Sequence, residues 1–333
     1  MTSATTALPP EPGPALGRSA RRLGIGGIGL WLALLLLVAI AAVLSPGFLN
    51  PVNLLNIVRQ ASVVGITAVG VTLVMITGGV DLSVGAVIVL GSVLAATIMD
   101  GQDANIPLAC CLVLLMGLAV GVINGVIVSR WRVPSFILTL GMATAISGIT
   151  QLYTGGTAAG DVAPAFRAVF NGRIGILPVL VVIFGAVVVV GLFVQQRTVL
   201  GRRIYLVGAN PRSARLSGLP VTRTRLTVFA FSGTCAALAG LALLARSGVS
   251  STFAGQGFEF DALAAVVLGG TTFAGGRGGI GGTVAGVLIL AVSFNLVNIL
   301  GLPIDMELLV KGGIIFGVAA LHVAAQRKEG VMA

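Results

Sequence analysis

Nine consecutive residues, Asn210-Pro211-Arg212-Ser213-Ala214-Arg215-Leu216-Ser217-Gly218, carry their own start and stop signals. An asparagine side chain can accept the free amides of a first helical turn, and proline suits the position after it. Glycine suits the left-handed residue beyond a helix end, and Leu219-Pro220 prevents continuation. The spacing predicts a capped helix of about two turns. Its chemistry is docking rather than bond making. It is either a rigid basic knob for a partner or a basic loop held against anionic lipid, worth about 1 kcal/mol per cation. Caps at both ends favour the helix. Around it, residues 195–225 hold Arg197, Arg202, Arg203, Arg212, Arg215, Arg223 and Arg225 with no acidic residue, in a chain only 9% charged.

The other residues able to do chemistry are polar groups in apolar surroundings. Asp81 and Ser83 follow a glycine pair, where Asp81 either caps a helix starting near Leu82 or lines a pathway. Asn124, Asn295 and Asn298 fall inside apolar runs, the last two on one helical face at i, i+3. Such amides can meet solute hydroxyls or bind neighbouring helices at about 1 kcal/mol each. These five, Asp81, Ser83, Asn124, Asn295 and Asn298, are the candidate pathway residues. Glu307 and Lys311, at i, i+4, read as a local ion pair.

Nothing here resembles a catalytic centre. No GxxxxGK[ST] loop occurs, so the chain has no phosphate cradle of its own, and it binds no cofactor on this reading. Two GxGxxG matches, at Gly24/Gly26/Gly29 and Gly276/Gly278/Gly281, border apolar runs rather than soluble strands. Cys110, Cys111 and Cys235 lie inside predicted spans without ligand spacing and read as packing residues. His322, the single histidine, reads as a helix-end residue.

Those residues must be positioned by membrane helices. The composition is 56% hydrophobic, and the mean hydropathy is +1.08. Runs near 28–44, 60–77, 82–99, 106–128, 133–153, 175–194, 226–245, 260–274, 280–299 and 306–322 approach the ~20 residues that cross a bilayer. The fold class is therefore all-α, a polytopic membrane protein of about ten spans. Residues 1–23 are expected to be a disordered cytoplasmic tail and 326–333 a cytoplasmic tail, around a membrane domain at 24–325. With the N-terminus inside, one side receives fifteen of the twenty cations. They are the seven above with Arg18, Arg21, Arg22, Arg130, Arg132, Arg277, Arg327 and Lys328. Arg59, Arg167, Arg173 and Arg246 fall on the other side. That bias fixes the orientation, both termini cytoplasmic, and accounts for the +10 net charge without nucleic acid. The run at 260–274 is interrupted by glycine and could be a half-helix or re-entrant segment.

Gly117, Gly121 and Gly125 recur every four residues, as do Gly278, Gly282 and Gly286. Such ridges serve close packing within the chain or a dimer seam. Residues 81–91 echo 261–269, running the opposite way through the membrane, so spans 2–5 and 7–10 could be inverted repeats about span 6. Asp81, Glu259, Asp261 and Glu307 all fall near predicted span ends. An ion-coupled secondary transporter would want an acid mid-span, and a structural or signalling membrane protein would need no pathway at all.

The stretch 201–210 followed by Ala214-Arg215-Leu216-Ser217-Gly218 resembles the coupling loop of ribose-type ABC importer permeases. Residues 78–85, and 264–271 with 275–278, resemble the same family, so the likeness extends over about 48–320 in order. The wider class carries an EAA-xxx-G motif; Ala214 and Gly218 keep its spacing, while Arg212 and Ser213 replace its first two residues. The resemblance implies a non-catalytic permease subunit in the bacterial cytoplasmic membrane, moving a ribose-like monosaccharide by alternating access. Permeases for branched-chain amino acids or nucleosides are the nearest alternative within the class. Implied partners are ATPase subunits that bind ATP and Mg, a second permease copy or paralogue, and a periplasmic or lipid-anchored sugar-binding protein. On this resemblance Asn210 to Gly218 is the ATPase contact.

Overall fold

The computed structural model describes residues 23–303, 305–309, 312–313 and 316–317. The proposed tails except Leu23, most of the tenth predicted span, Lys311 and His322 lie outside them. The elements are α1 (Leu23–Leu44), α2 (Pro51–Ile76), α3 (Val84–Met99), α4 (Ile106–Arg130), α5 (Ser135–Thr154) and α6 (Pro164–Asn171). A two-residue hairpin follows, β1 (Arg173–Ile174) antiparallel to β2 (Leu177–Pro178), then α7 (Val179–Arg197), α8 (Val199–Ala209) and α9 (Pro211–Leu216). The described chain closes with α10 (Val221–Ser247), α11 (Phe258–Leu268) and α12 (Ile280–Ile299). Among the described residues six helices are long and apolar enough to cross a membrane: α2, α4 together with the turn before it, α5, α7, α10 and α12. The chain is all-α and polytopic.

Boundaries depart from the hydropathy reading where local chemistry overrides it. Helix α2 starts at Pro51 rather than near 60, because Asn50 accepts the Val52 amide at 2.9 Å and proline occupies the first position. Residues 173–178 form the hairpin, with Gly175 left-handed at φ 63°, so α7 begins later than predicted. The run at 260–274 is not a full span. Its helix α11 stops at Leu268, and non-helical backbone continues to Gly279.

Helices α2 and α10 form the centre. Nearly every side chain from Ala61 to Ile76 is buried, as is most of α10, and both are rich in Gly, Ala, Ser and Thr. The Ser62, Thr67 and Thr72 hydroxyls return to carbonyls four residues back, so a buried helix can carry them without an orphan donor. Around this centre α4, α5 and α7 turn large apolar groups outward, including Leu112, Phe136, Ile149 and Phe193. That arrangement suits lipid.

The packing follows an exchange. Helix α2 packs on α7, α10, α11 and α12, while α10 packs chiefly on α2, α3 and α4. Leaving α7 aside, swapping α2 with α10, α3 with α11 and α4 with α12 maps these contacts onto themselves, as inverted repeats would. The residue echo that suggested this is out of register. Asp81 stands three residues before α3 begins, whereas Asp261 lies inside α11.

Glycines set the closest approaches. A Cβ on Gly117 would meet Ala237 and the Gly233 backbone, one on Gly121 would meet the Phe229 carbonyl, and one on Gly125 would meet Leu226. This ridge is the α4–α10 seam, so it serves packing within the chain. Gly282 and Gly286 play the same part against Gly269 and Ala265 of the α11 region. Replacing Gly121 with leucine should abolish recovery of monodisperse protein in mild detergent, since backbone stands where the side chain must go. Gly141→Ala, on the open face of α5, should leave recovery unchanged.

Candidate functional site

The capped segment forms as a helix. Asn210 Oδ1 accepts the amides of Arg212 and Ser213, each at 3.0 Å. At the other end Gly218 adopts φ 75°, and the Leu219 amide returns to the Ala214 carbonyl at 3.0 Å. These are the bonds of a glycine-terminated helix end. Ala214 turns inward onto Val207 and Val221, while Arg212, Ser213, Arg215 and Leu216 face out. Leu216 is 83% exposed, an apolar tip next to Arg215. Pro211 is half-buried, and Ser217 and Gly218 are exposed.

Helix α8 ties this knob to the bundle. Tyr205 donates its hydroxyl to the Gly278 carbonyl at 2.7 Å and accepts from Gln195 Nε2. Burial pushes the Tyr205 pKa up, the Gln195 bond opposing, so the hydroxyl keeps the proton it donates. Gln195 Oε1 in turn accepts the Ile280 amide at 3.1 Å. One tyrosine and one glutamine therefore join the end of α7, the middle of α8 and the start of α12. At the end of α8, Gly208 packs on the Ile76 carbonyl, which itself accepts the Gly276 amide at 2.8 Å. Neither Gln195 nor Tyr205 was legible as a functional residue, because the partners that give them meaning lie 73 and 85 positions away in the chain.

Asp81, Ser83 and Asn124 come together. Asp81 Oδ1 accepts both the Ser83 amide and the Ser83 hydroxyl, at 3.1 and 2.6 Å, and Oδ2 accepts from Ser232 of α10 at 2.8 Å. Asn124 of α4 donates to Ser83 Oγ at 2.9 Å. Two expectations need correction. Asp81 does not cap α3, whose first residue follows Ser83; it anchors the preceding segment to α10. Nor does it sit at a span end, because the non-helical stretch 77–83 carries it in beside Ser232, twelve residues into α10. The remaining backbone is satisfied from α5: Ser135 Oγ takes the Val80 amide at 2.9 Å, and Thr139 Oγ1 takes that of Leu82 at 3.1 Å.

Asn295 and Asn298 stand elsewhere. Asn295 exchanges two amide hydrogen bonds with Asn53 of α2, at 2.9 and 3.1 Å, binding two helices together. Asn298 donates to the Glu307 carboxylate at 2.6 Å. The five candidate pathway residues therefore form two separate groups.

The match to known proteins follows the whole bundle. Residues 53–319 match the family described as the permease component of the branched-chain amino acid transport system. The chain belongs to that permease family. It is 42% identical to the ribose import permease protein RbsC of Escherichia coli (strain K12) over 288 residues, 85% of this chain and 89% of that one. Against the RbsC of Bacillus subtilis (strain 168) it is 39% identical over 86% and 90% of the two chains. The xylose transport system permease protein XylH of Escherichia coli (strain K12) is 32% identical over 85% and 87%. No solved structure matches the chain significantly.

In this permease one further polar site escaped the sequence reading. A small cleft of about 60 Å³ opens between α3, α5 and residues 252–259. Ser147, Thr150 and Gln151 of α5 face Thr252, Gln256 and Glu259 across it. Polar residues at 147, 150, 151 and 154 share one face of a span, and that helical spacing is the signal that could have found it. Glu259 reaches in because α11 begins deep in the bundle, where its carboxylate lies on Gly85 of α3. It too had been placed near a span end. Among the described residues no three His, Cys, Asp or Glu side chains converge as a metal site.

Asp81→Asn should lower stability by about 1–3 kcal/mol, because an amide has one acceptor oxygen for three buried donors. Thermal unfolding in detergent measures it. Tyr205→Phe should cost about 0.5–1.5 kcal/mol in the same assay, the value of one hydroxyl link.

Proposed function

We propose that this permease is the membrane-spanning subunit of an ATP-driven importer that carries a ribose-like monosaccharide into the cytoplasm. The observation that carries the substrate is the identity of 32–42%, across more than four-fifths of each chain, to permeases named for ribose and xylose. ATP is hydrolysed on separate subunits, which dock on α9 at the arginine-bearing end of the bundle. That end faces the cytoplasm of the inner membrane, with both termini on the same side. The segregation of Arg130, Arg277 and the 195–225 arginines to this end, against Arg59, Arg167, Arg173 and Arg246 at the other, supports that orientation. A second permease copy or paralogue completes the pathway, and a sugar-binding protein delivers solute from outside.

Coupling runs through the pinned geometry of α8 and α9. When the ATPases close, they displace α9, and α8 transmits the movement through Tyr205 and Gly208 to residues 76–83 and 269–280. Those non-helical stretches can shift without breaking a continuous helix. The solute path then closes on one side and opens on the other.

Gly218→Val tests the docking. A β-branched residue at φ 75° is strained by about 1–2 kcal/mol, which unseats the helix end. Copurification of the ATPase subunit and ribose uptake should both fall while the permease still reaches the membrane. Normal assembly with normal uptake would remove α9 from the mechanism. Uptake that a protonophore stops while ATP stays high would overturn the ATP-driven reading. Transport of branched-chain amino acids instead of sugars would reassign the substrate.

A further inference from the structure

The cleft between α3, α5 and residues 252–259 has the chemistry of a carbohydrate contact site. One wall is apolar, from Leu82, Ala86 and Val89. Facing it are two carboxamides, Gln151 and Gln256, a carboxylate, Glu259, and the hydroxyl of Ser147. Ser147, Gln151 and Gln256 make no side-chain hydrogen bond to another described residue, so their donors and acceptors remain open to a ligand. Thr150 donates to the Ile146 carbonyl at 2.8 Å, which leaves its oxygen able to accept. Carboxamides both give and accept hydrogen bonds, and a carboxylate accepts them. Vicinal hydroxyls on a ring present that same mixture, and an apolar wall suits the ring's C–H face. Among the described residues no arginine, lysine or aromatic residue lines the cleft.

Its position fits as well. The cleft lies where the non-helical stretch 248–257, from the second repeat, crosses α3 and α5 of the first. Gly255 packs on Val89 and Ile88, and Glu259 packs on Gly85. Transporter sites form where such broken segments meet at a repeat interface.

We propose that this cleft is the permease's own contact site for a single monosaccharide, with Gln151, Gln256 and Glu259 as its hydrogen-bonding groups. The inference rests on the importer reading above and adds to it a place where solute touches this subunit. The test is cysteine modification in the assembled importer, reconstituted in liposomes with its ATPase and binding protein. Gln151→Cys, and separately Gln256→Cys on the opposite wall, are treated with a water-soluble methanethiosulfonate and compared with the unsubstituted protein. D-Ribose and D-xylose uptake are measured before and after.

The expected result is that modification at either position lowers uptake at least about tenfold, equivalent to about 1.4 kcal/mol. Sugar-loaded binding protein should slow the modification. Two positions keep the test open should one variant fail to assemble. Modification that leaves uptake unchanged, or a thiol the reagent never reaches at either position, overturns the site while leaving the importer reading standing. An unsubstituted complex that moves neither sugar overturns the importer reading and this inference with it.

Discussion

Backbone amides and carbonyls held away from water must find partners inside the protein, and in this permease that demand is greatest where helices are interrupted. Residues 77–83, 248–257 and 269–279 run non-helically through or beside the bundle. Each unpaired group there would cost several kcal/mol in lipid. The chain meets that cost with side chains sent from distant helices. Ser135 and Thr139 take the amides of Val80 and Leu82, Gln195 takes that of Ile280, and Tyr205 donates to the Gly278 carbonyl. The helices that donate these groups are thereby fixed relative to the breaks.

That dependence explains why the central helices are built of small residues. A break can be reached by hydroxyl and amide side chains only if backbones lie close, and Gly70, Gly117, Gly121, Gly233 and Gly240 remove the side chains that would hold them apart. Gly70 is an instance, since a Cβ there would stand 2.8 Å from the Ser232 Cα, beside the hydroxyl that binds Asp81. Close packing and polar satisfaction are thus one design. Loss of either would free the other.

The same breaks give the molecule a way to move. A continuous α-helix transmits force as a rod, whereas a non-helical segment held by a few side-chain bonds can exchange one set of partners for another. Helix α8 reaches two of the three breaks, at Ile76 just before the first through Gly208 and at Gly278 within another through Tyr205. The exposed α9 knob lies at the outer end of that linkage. The polar cleft borders the third break, at Thr252 and Gln256.

Much of this was legible in the sequence, and for a local reason. The apolar runs, the caps of α9 and the arginine asymmetry are properties of short segments, and lipid leaves the backbone few alternatives to helix. Asn210, Pro211 and Gly218 act on amides and carbonyls within three or four residues of themselves, so their effect needs no fold. The glycine interruption after Leu268 was legible for the same reason. Tertiary structure decided the rest. Asp81 looked like a helix cap until α10 brought Ser232 to it from 151 residues away. Asn295 looked available to solute until Asn53 met it across 242 residues. The face of α5 that carries Ser147 and Gln151 became a cleft only because α11 starts deep and sets Glu259 against Gly85. Helical periodicity says which residues share a face. Only packing says what that face meets.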